Sequence, residues 1–382
     1  MFRLVATTFS GGEQILAKEL LEIGAGDIKA LSRAVEFTGD TETMYKANLF
    51  CRTALRILKP FSAFKVNDEA QLYRQCKEIS WEELMTTDDT FAIEAVSSHE
   101  KLNHTLYIAQ KIKDAIADRF RAKTGKRPSV DLTNPRYVIH AYIDKDKCTL
   151  SFDSSGGSLH KRGYRVSATG APLNEVLAAG LVLMSGWEGT TDFYDPMCGS
   201  GTFLIEAAML ALNIPPGIFK KKFGFQGWKG FDENLWNKIV TKAKAGIKND
   251  LTVKISGADI SEGAVRAASF NIRNAGLEKF ITVEKKSFND FLPQGESGTV
   301  MLNPPYGGRL ESENIGLLYK EIGDHLKKNF TGHEAWILTA NREAAKQIGL
   351  HSSKKIKVYN GPLECRFLKF EMYSGSKKRK YE

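Results

Sequence analysis

The sequence has few of the residues that build disulfide frameworks and metal centres. Its 382 residues include five cysteines, and no two of them are spaced as C-x-x-C. The seven histidines contain no H-E-x-x-H pair. We therefore expect neither a disulfide-stabilised fold nor a zinc site, and we expect chemistry that uses no metal.

Long apolar runs are also missing. No stretch approaches the ~18 consecutive apolar residues that are needed to cross a bilayer. The first ten residues lack the basic segment and apolar core of a secretory signal. These absences predict a cytoplasmic protein without a membrane partner.

Acidic residues are outnumbered by basic ones. The chain has 54 Lys and Arg against 45 Asp and Glu, a formal net charge of +9. Such an excess suits a polyanion such as nucleic acid, although mildly basic soluble proteins are common and charge alone favours neither interpretation. The length exceeds the ~250–300 residues of a single core, which predicts two or more domains.

The first 153 residues mix strands and helices as α+β domains do. The pattern predicts strand Phe2–Phe9, helix Gln14–Ile23, strand Ala34–Thr38, helix Glu42–Leu58 with Arg52 and Arg56, strand Thr90–Ser97, helix Thr105–Arg121, and strands Tyr137–Ile143 and Cys148–Asp153.

After the turn-rich segment Ser154–Ser158 and the basic cluster His160–Arg165, the pattern changes. Strands then alternate with helices, which is typical of a doubly wound, mostly parallel sheet. Strict alternation in Arg366–Tyr373 predicts an antiparallel strand at the sheet edge. The basic tail Lys377–Lys380 is interpreted as a solvated terminus or an RNA contact. The predicted parallel strands are Thr191–Asp195, Val253–Ala258, Ile281–Glu284, Thr299–Leu302 and Ala335–Thr339.

A glycine-containing turn follows the first of these strands. In the segment Asp195–Thr202, Gly199 and Gly201 allow a tight turn and a close approach to a ligand. The segment lacks the Lys of a phosphate-binding NTPase loop. The acidic Asp195 at the strand end instead favours a cationic ligand group, such as the ammonium of a methionine moiety.

A second acidic residue, Asp259, ends the next strand and is followed by Ile260. In a fold of this kind such a carboxylate accepts hydrogen bonds from ribose hydroxyls. The gap between the glycine turn and this residue is far longer than the usual ~20 residues. It includes Pro215–Gly217, Phe223–Phe225 and Trp228, which we interpret as an insertion that either covers the active site or extends the packing.

The segment Asn303-Pro304-Pro305-Tyr306 follows a third strand directly. The two prolines remove two N–H donors and prevent a helix. The Asn303 side-chain oxygen and the Pro304 carbonyl remain as acceptors that could hold both protons of one planar amino group. Tyr306 could stack on the flat group that carries it. The pattern therefore predicts methylation of an exocyclic amino nitrogen.

Together these motifs resemble the class I amino-methyltransferases, and more narrowly the THUMP-containing bacterial ribosomal RNA methylases that modify guanine N2 in large-subunit RNA. The segments Leu159–Arg165 and Ala171–Glu175 are similar to the inter-domain signature of that family. The resemblance implies a Rossmann-like methyltransferase domain with a seven-stranded sheet over 158–382. It also implies a ferredoxin-like piece over 1–60 and a THUMP RNA-binding domain over 61–157.

The resemblance further implies S-adenosylmethionine as cofactor, S-adenosylhomocysteine as product and structured large-subunit RNA as partner. Gly308 stands where many family members have an acidic residue. Lys161, Arg162 and Arg165 are candidate RNA-phosphate contacts. The residues implied at the cofactor are Asp195, Met197, Gly199, Ser200, Gly201, Thr202, Asp259, Ile260, Ser287, Phe288 and Asn303, and those at the reacting amino group are Asn303, Pro304, Pro305 and Tyr306.

Three alternatives remain compatible with the sequence. N-P-P-Y also suits methylation of adenine N6 in RNA or DNA and of protein glutamine side chains. A non-catalytic RNA-binding factor for ribosome assembly would keep the domains without the reaction. The basic N-terminal half favours RNA over protein, while guanine over adenine rests on the resemblance alone.

Overall fold

The computed structural model describes residues 1–168, 172–307 and 312–375, without the side chains of 312 and 313. Gly308 and the basic tail lie outside the described residues. The chain divides into two compact units. Unit 1 comprises residues 1–8, 16–159 and 220–240, and unit 2 comprises residues 9–15, 160–219 and 241 onward.

Residues 1–159 form strands and helices in mixed order. They are β1 (Phe2–Thr7), α1 (Glu13–Glu22), β2 (Gly26–Leu31), β3 (Ala34–Gly39), α2 (Thr41–Phe50), β4 (Arg56–Lys65), α3 (Glu69–Glu78), α4 (Trp81–Leu84), β5 (Thr90–Ser97), α5 (Thr105–Thr124), β6 (Ser129–Val130), β7 (Tyr137–Asp144) and β8 (Lys147–Asp153).

The eight strands join into one sheet in the order β2-β3-β1-β4-β8-β7-β5-β6. Strand β4 connects its two halves, since Leu58 is opposite both Val5 of β1 and Asp153 of β8. A register shift between Pro60 and Ser62 places the proline at an irregularity, where a missing N–H is tolerated. One continuous sheet therefore carries both predicted N-terminal pieces.

The predicted helix Glu42–Leu58 is wrong in its second half. Helix α2 ends at Phe50, and Arg56 begins strand β4 instead. The carboxylate of Glu19 explains the break, because it accepts hydrogen bonds from the backbone N–H groups of Arg52 (2.7 Å) and Thr53 (3.0 Å). These groups are then unavailable to a continuing helix.

The remainder of the chain alternates strands and helices as predicted. Its elements are α6 (Glu175–Ser185), β9 (Asp192–Asp195), α7 (Thr202–Ala211), α8 (Glu233–Ala245), β10 (Ile255–Asp259), α9 (Glu262–Asn274), β11 (Ile281–Lys285), β12 (Gly298–Leu302), α10 (Ser312–Asn329), β13 (Glu334–Thr339), α11 (Arg342–Lys346), β14 (Lys354–Asn360) and β15 (Leu363–Glu371), with short 3-10 helices at Pro216–Phe219, Gly224–Gly227 and Phe288–Asp290.

The seven strands of unit 2 have the order β11-β10-β9-β12-β13-β15-β14. Strands β9 to β13 pair in parallel, and β15 runs antiparallel to both of its neighbours. The chain order reverses beside β9, and ligands of open α/β sheets bind at such a switch point. Strands β9 and β12, which carry two of the sequence motifs, therefore end side by side.

The last strand is antiparallel as predicted but does not lie at the edge. Strand β14 covers it, pairing Lys354 through Asn360 with β15. The sequence of β14 is rich in lysine and shows little alternation of apolar and polar residues, so the pattern did not predict this strand. Charged lysines are a common protection of edge strands against pairing with other chains.

Candidate active site

The turn after β9 has an open, glycine-dependent geometry. Gly199 and Gly201 adopt φ values of +54° and +80°, a region that residues with a Cβ rarely enter. A Cβ on Gly199 would meet no heavy atom within 4 Å among the described residues, so the turn borders open space. Helix α7 begins directly after it, at Thr202.

Close packing of β9 against β10 brings two carboxylates to this turn. A Cβ on Gly257 of β10 would lie 2.8 Å from the Asp195 carbonyl oxygen, so only glycine permits the approach. The Asp259 carboxylate accepts hydrogen bonds from the N–H groups of Gly199 (3.0 Å) and Ser261 (2.9 Å). The acidic strand end thus orients the glycine turn.

Asp195 is a buried carboxylate with little compensation. Its side chain is 2% exposed and, among the described residues, accepts one hydrogen bond, from the Met197 N–H at 3.3 Å. Burial raises the pKa of Asp195 well above its usual value, and the neighbouring charge of Asp259 raises it further. A buried carboxylate of this kind is stabilised by a cation. The ammonium group of a methionine moiety fits that requirement.

The residues implied on the adenine side occupy different environments. Ile260 is 73% exposed, so its apolar face is available to a flat ring. Phe288 is buried, and its ring lies 4.8 Å from that of His325 between centroids. Its side chain belongs to the core, which leaves Ser287 and Ile260 as the accessible groups. The Ser287 hydroxyl accepts a hydrogen bond from the Asn289 N–H at 3.3 Å.

The Asn303–Tyr306 segment leaves strand β12 and is fixed by neighbours that the sequence motifs did not identify. Asn341, after β13, donates a hydrogen bond from Nδ2 to the Tyr306 carbonyl at 3.1 Å. The Tyr319 hydroxyl of α10 lies 3.4 Å from the Pro305 carbonyl and 2.7 Å from the Thr339 hydroxyl. In the sequence, the position of Asn341 just after the strand next to β12 was the only feature that could have indicated this support.

The Tyr306 hydroxyl donates a hydrogen bond to the Asn303 Oδ1 atom. That oxygen is the acceptor predicted to hold the substrate amino group, and the hydroxyl occupies one of its two lone pairs. A cavity of about 520 Å³ lies beside the segment. It is lined by Tyr306, Gly307, Ala340, Asn341, Arg342, Glu343 and Leu363.

Two of the three predicted RNA-phosphate contacts are engaged inside the protein. Arg162 is 2% exposed, with Nε 3.4 Å from the Glu206 carboxylate. Arg165 donates hydrogen bonds to Glu175 (2.8 Å) and to two hydroxyls of the glycine turn, Ser200 (3.3 Å) and Thr202 (3.0 Å). Internal pairing of these two guanidinium groups argues against phosphate contact, and of the three predicted residues only Lys161 is exposed.

Arg165 instead connects the inter-domain cluster to the glycine turn. The backbone of that turn receives further support from Asn271, whose Nδ2 donates to the Ser200 carbonyl at 3.0 Å. Neither support follows from motif spacing, since both partners are distant in sequence. The predicted site residues Asp195, Gly199, Gly201 and Asp259 therefore share one locally braced edge of the sheet.

Neither a metal-ligand cluster nor a membrane-spanning helix occurs among the described residues. Within these ranges, no group of three or more His, Cys, Asp or Glu side chains could hold a metal ion. None of the helices described is long and apolar enough to span a membrane.

Comparison with known proteins identifies three consecutive family regions. Residues 3–58 match the RlmL ferredoxin-like domain, residues 66–153 match the THUMP domain, and residues 162–369 match the RMKL-like methyltransferase domain. The Synechocystis protein slr0064, named as an RNA methyltransferase, is 41% identical, and the match covers 96% of both chains. The Methylococcus capsulatus ribosomal RNA large subunit methyltransferase K/L is also 41% identical, but the chain spans only 51% of its length.

Two solved structures are similar to this chain over nearly its whole length. SMU.472, a methyltransferase complexed with S-adenosylhomocysteine, superposes with a TM-score of 0.88 at 32% identity and covers 98% of this chain and 99% of its own. A methylase from Clostridium difficile 630 gives a TM-score of 0.88 at 31% identity, covering 99% of this chain and 100% of its own.

The fold and the glycine turn thus define an S-adenosylmethionine-dependent class I methyltransferase whose product is S-adenosylhomocysteine. The chain belongs to the RMKL-like methyltransferase family, with ferredoxin-like and THUMP domains before the methyltransferase domain. These findings confirm the predicted fold class, the predicted reaction class and the predicted cofactor.

Proposed function

We propose that this protein methylates the exocyclic N2 of a guanine in 23S ribosomal RNA. The observation that carries the proposal is the Asn303–Tyr306 segment, which leaves β12 next to a cavity of about 520 Å³. The matched THUMP domain and the name of the K/L relatives support RNA of the large subunit as the acceptor. A substrate of that kind would place the protein in the cytoplasm.

The chain's own residues orient the acceptor. The Tyr306 hydroxyl leaves Asn303 Oδ1, and its ring turns to stack on a base that has been flipped out of its helix. Asn303 Oδ1 and the Pro304 carbonyl then accept the two amino protons, which aims the nitrogen lone pair. Asn341 and Tyr319 hold the carbonyl groups of the segment in place.

When bound, S-adenosylmethionine supplies the methyl group, whose carbon bonds to the amino nitrogen while sulfur keeps the electron pair of the broken bond. The nitrogen then loses one proton to solvent, so no residue has to act as a base before transfer. Asp195 would hold the ammonium group, and Asp259 would hold the ribose hydroxyls. Ile260 and Ser287 would border the adenine, while Met197, Ser200 and Thr202 would complete the turn.

Adenine N6 is the second candidate acceptor, and a specific observation keeps it open. A structure from Listeria monocytogenes, with a TM-score of 0.85 and 32% identity, is described as an N6-adenine-specific DNA methylase. It covers 97% of this chain and 96% of its own. The segment that holds an amino group does not by itself distinguish guanine from adenine.

The experiment that tests the proposal uses unmodified large-subunit RNA and methyl-labelled S-adenosylmethionine. The RNA is digested to nucleosides, and the labelled one is identified by mass spectrometry. We expect N2-methylguanosine. Labelled N6-methyladenosine would be consistent with the proposed mechanism but would show that the acceptor base is adenine and not guanine. Absence of label in RNA, with cofactor binding intact, would overturn RNA as the substrate.

A further inference from the structure

Unit 1 contains a cavity of its own, about 560 Å³ in volume. A volume of this size is within the range of small-ligand sites in proteins. One wall comes from the THUMP region and the other from the segment Lys222–Phe231, which belongs to unit 1 although it lies within the methyltransferase match. The lining residues are Thr90, Asn134, Arg136, Lys222, Gln226, Gly227, Trp228, Lys229, Gly230 and Phe231.

The lining carries positive charge and no acidic side chain. Lys222 and Lys229 are exposed, and neither forms an ion pair within the described ranges. Arg136 pairs with Asp89 at 2.6 Å but keeps a side chain that is 49% exposed. Three cations thus border one cavity, and an anion entering it would be attracted without displacing an internal carboxylate of the wall.

The aromatic part of the wall is rigidly held. Trp228 packs against Phe152, with 5.7 Å between ring centroids. The Lys229 N–H donates to the Tyr137 hydroxyl at 3.0 Å, and Arg136 donates to the Gly227 carbonyl. The indole N–H of Trp228 is buried and has no hydrogen-bond partner among the described residues. A buried donor without a partner is costly, so packing and not hydrogen bonding holds the indole in place.

We propose that this cavity binds one nucleotide of the RNA substrate. Lys222, Lys229 and Arg136 hold its phosphate, and Trp228 packs against its ribose or base. Cationic side chains beside an aromatic ring are the usual elements of a single-stranded nucleotide site. The inference rests on the proposed function for the class of polymer and adds a binding site to it. It also means that the methyltransferase region contributes residues to RNA capture.

The test compares two double variants of the full chain that change the net charge equally. K222E/K229E reverses both unpaired lysines of the cavity. K29E/K126E reverses two exposed lysines elsewhere in unit 1, neither of which lines the cavity. The dissociation constant for unmodified large-subunit RNA is measured between 50 and 200 mM salt, and cofactor affinity reports whether each variant remains folded.

We expect K222E/K229E to weaken RNA binding by at least ~10-fold and to reduce the slope of log affinity against log salt by about 0.7–0.9, as the loss of one neutralised phosphate requires. Cofactor affinity should not change, and K29E/K126E should remain within about threefold of the wild type. Equal RNA affinity in the two variants would overturn the cavity as a nucleotide site. Failure of the wild type itself to bind RNA would instead overturn the proposed function.

Discussion

Single side chains decide how Asn303 is used. Its Oδ1 atom accepts a hydrogen bond from the Tyr306 hydroxyl, and the proposed transfer uses the same atom to hold the substrate amino group. The Tyr306 ring and the Tyr306 hydroxyl therefore have separate proposed roles. The ring would support the base by stacking, and the hydroxyl occupies one of the two lone pairs of the acceptor oxygen.

Two substitutions at Tyr306 separate these effects. We expect Y306F to keep the methyl-transfer rate within about fivefold of wild type, because stacking is retained. Y306A should lose ~10- to 100-fold, the rough value of one base–aromatic stack of ~1–3 kcal/mol. The measurement is the single-turnover rate at saturating cofactor. A Phe variant as impaired as the Ala variant would contradict the assigned role of the ring.

Arg165 acts at the same scale on the cofactor side. It joins Glu175 to the hydroxyls of Ser200 and Thr202, so R165Q should loosen the glycine turn. We expect cofactor affinity to fall by ~10-fold or more in calorimetric titration, since hydrogen bonds to charged groups contribute about 1.5–3 kcal/mol each. R266Q, at an exposed surface ion pair, is the matched control and should bind normally. Equal affinities of R165Q and R266Q for S-adenosylmethionine would show that Arg165 does not support cofactor binding.

At the scale of elements, the motifs at strand ends were predictable and their supports were not. Asp195, Gly199, Asp259 and Asn303 each follow a strand whose apolar run is evident in the sequence, so topology alone brings them to one edge. The bracing by Arg165, Asn271 and Asn341 depends on contacts between distant segments. Such contacts have no local signature.

The same distinction explains the errors in secondary structure. The predicted helix through Arg56 continued a real amphipathic pattern, and it was stopped by Glu19, a side chain more than thirty positions earlier. Strand β14 was missed because its lysine-rich sequence has little apolar alternation. In the first case tertiary hydrogen bonds outweighed the local helix propensity. In the second, the lysines that protect an edge strand from pairing with other chains removed the apolar pattern of a strand.

Strand β7 gives the N-terminal sheet a dependence on pH. His140 is buried, its Nδ1 has no hydrogen-bond partner among described residues, and the nearby charge of Arg56 also opposes protonation. Burial is the main cause and lowers the pKa of His140 from 6.5 to about 4. Between these values the unfolded chain binds a proton that the folded chain does not. Stability is therefore present above pH 6.5 and is lost as the pH falls towards 4.

The size of this effect is testable with H140Q. A gap from 6.5 to about 4 corresponds to about 3 kcal/mol of unfolding free energy. We expect wild type to lose that amount relative to H140Q between pH 7 and pH 4, measured as the free energy of urea unfolding of the full chain. Parallel curves for the two proteins would show that His140 titrates normally in the folded state.

At the scale of the whole molecule, the two compact units do not correspond to two consecutive stretches of sequence. Residues 220–240 come after the first motif of the methyltransferase region, yet they belong to unit 1. There Phe225 stacks on Tyr45 at 4.3 Å between centroids, and Trp236 meets Tyr45 edge-on at 5.9 Å. The Tyr45 hydroxyl accepts a hydrogen bond from the Asp232 N–H. The segment is therefore part of the core of unit 1.

A fragment of residues 1–159 tests this arrangement. Without the segment, Tyr45 and its surroundings lose aromatic contacts whose removal costs about 3–5 kcal/mol per large side chain. We expect the fragment to unfold at a lower temperature than the full chain. We also expect it to bind a hydrophobic dye, because the aromatic surface around Tyr45 is uncovered. A synthetic peptide of residues 220–240 should raise the temperature, and a shuffled peptide should not. A fragment as stable as the full chain would contradict the division.

The central claim is that Asn303 holds the acceptor amino group for transfer. Its most direct test is the single-turnover rate of methyl transfer by N303A to unmodified large-subunit RNA, measured with the dissociation constants for RNA and S-adenosylmethionine. Removing one preorganised group at the reacting centre costs ~100-fold or more. We predict that loss of rate at saturating cofactor, with the dissociation constant for RNA within about threefold of wild type. Transfer at the wild-type rate would contradict the claim.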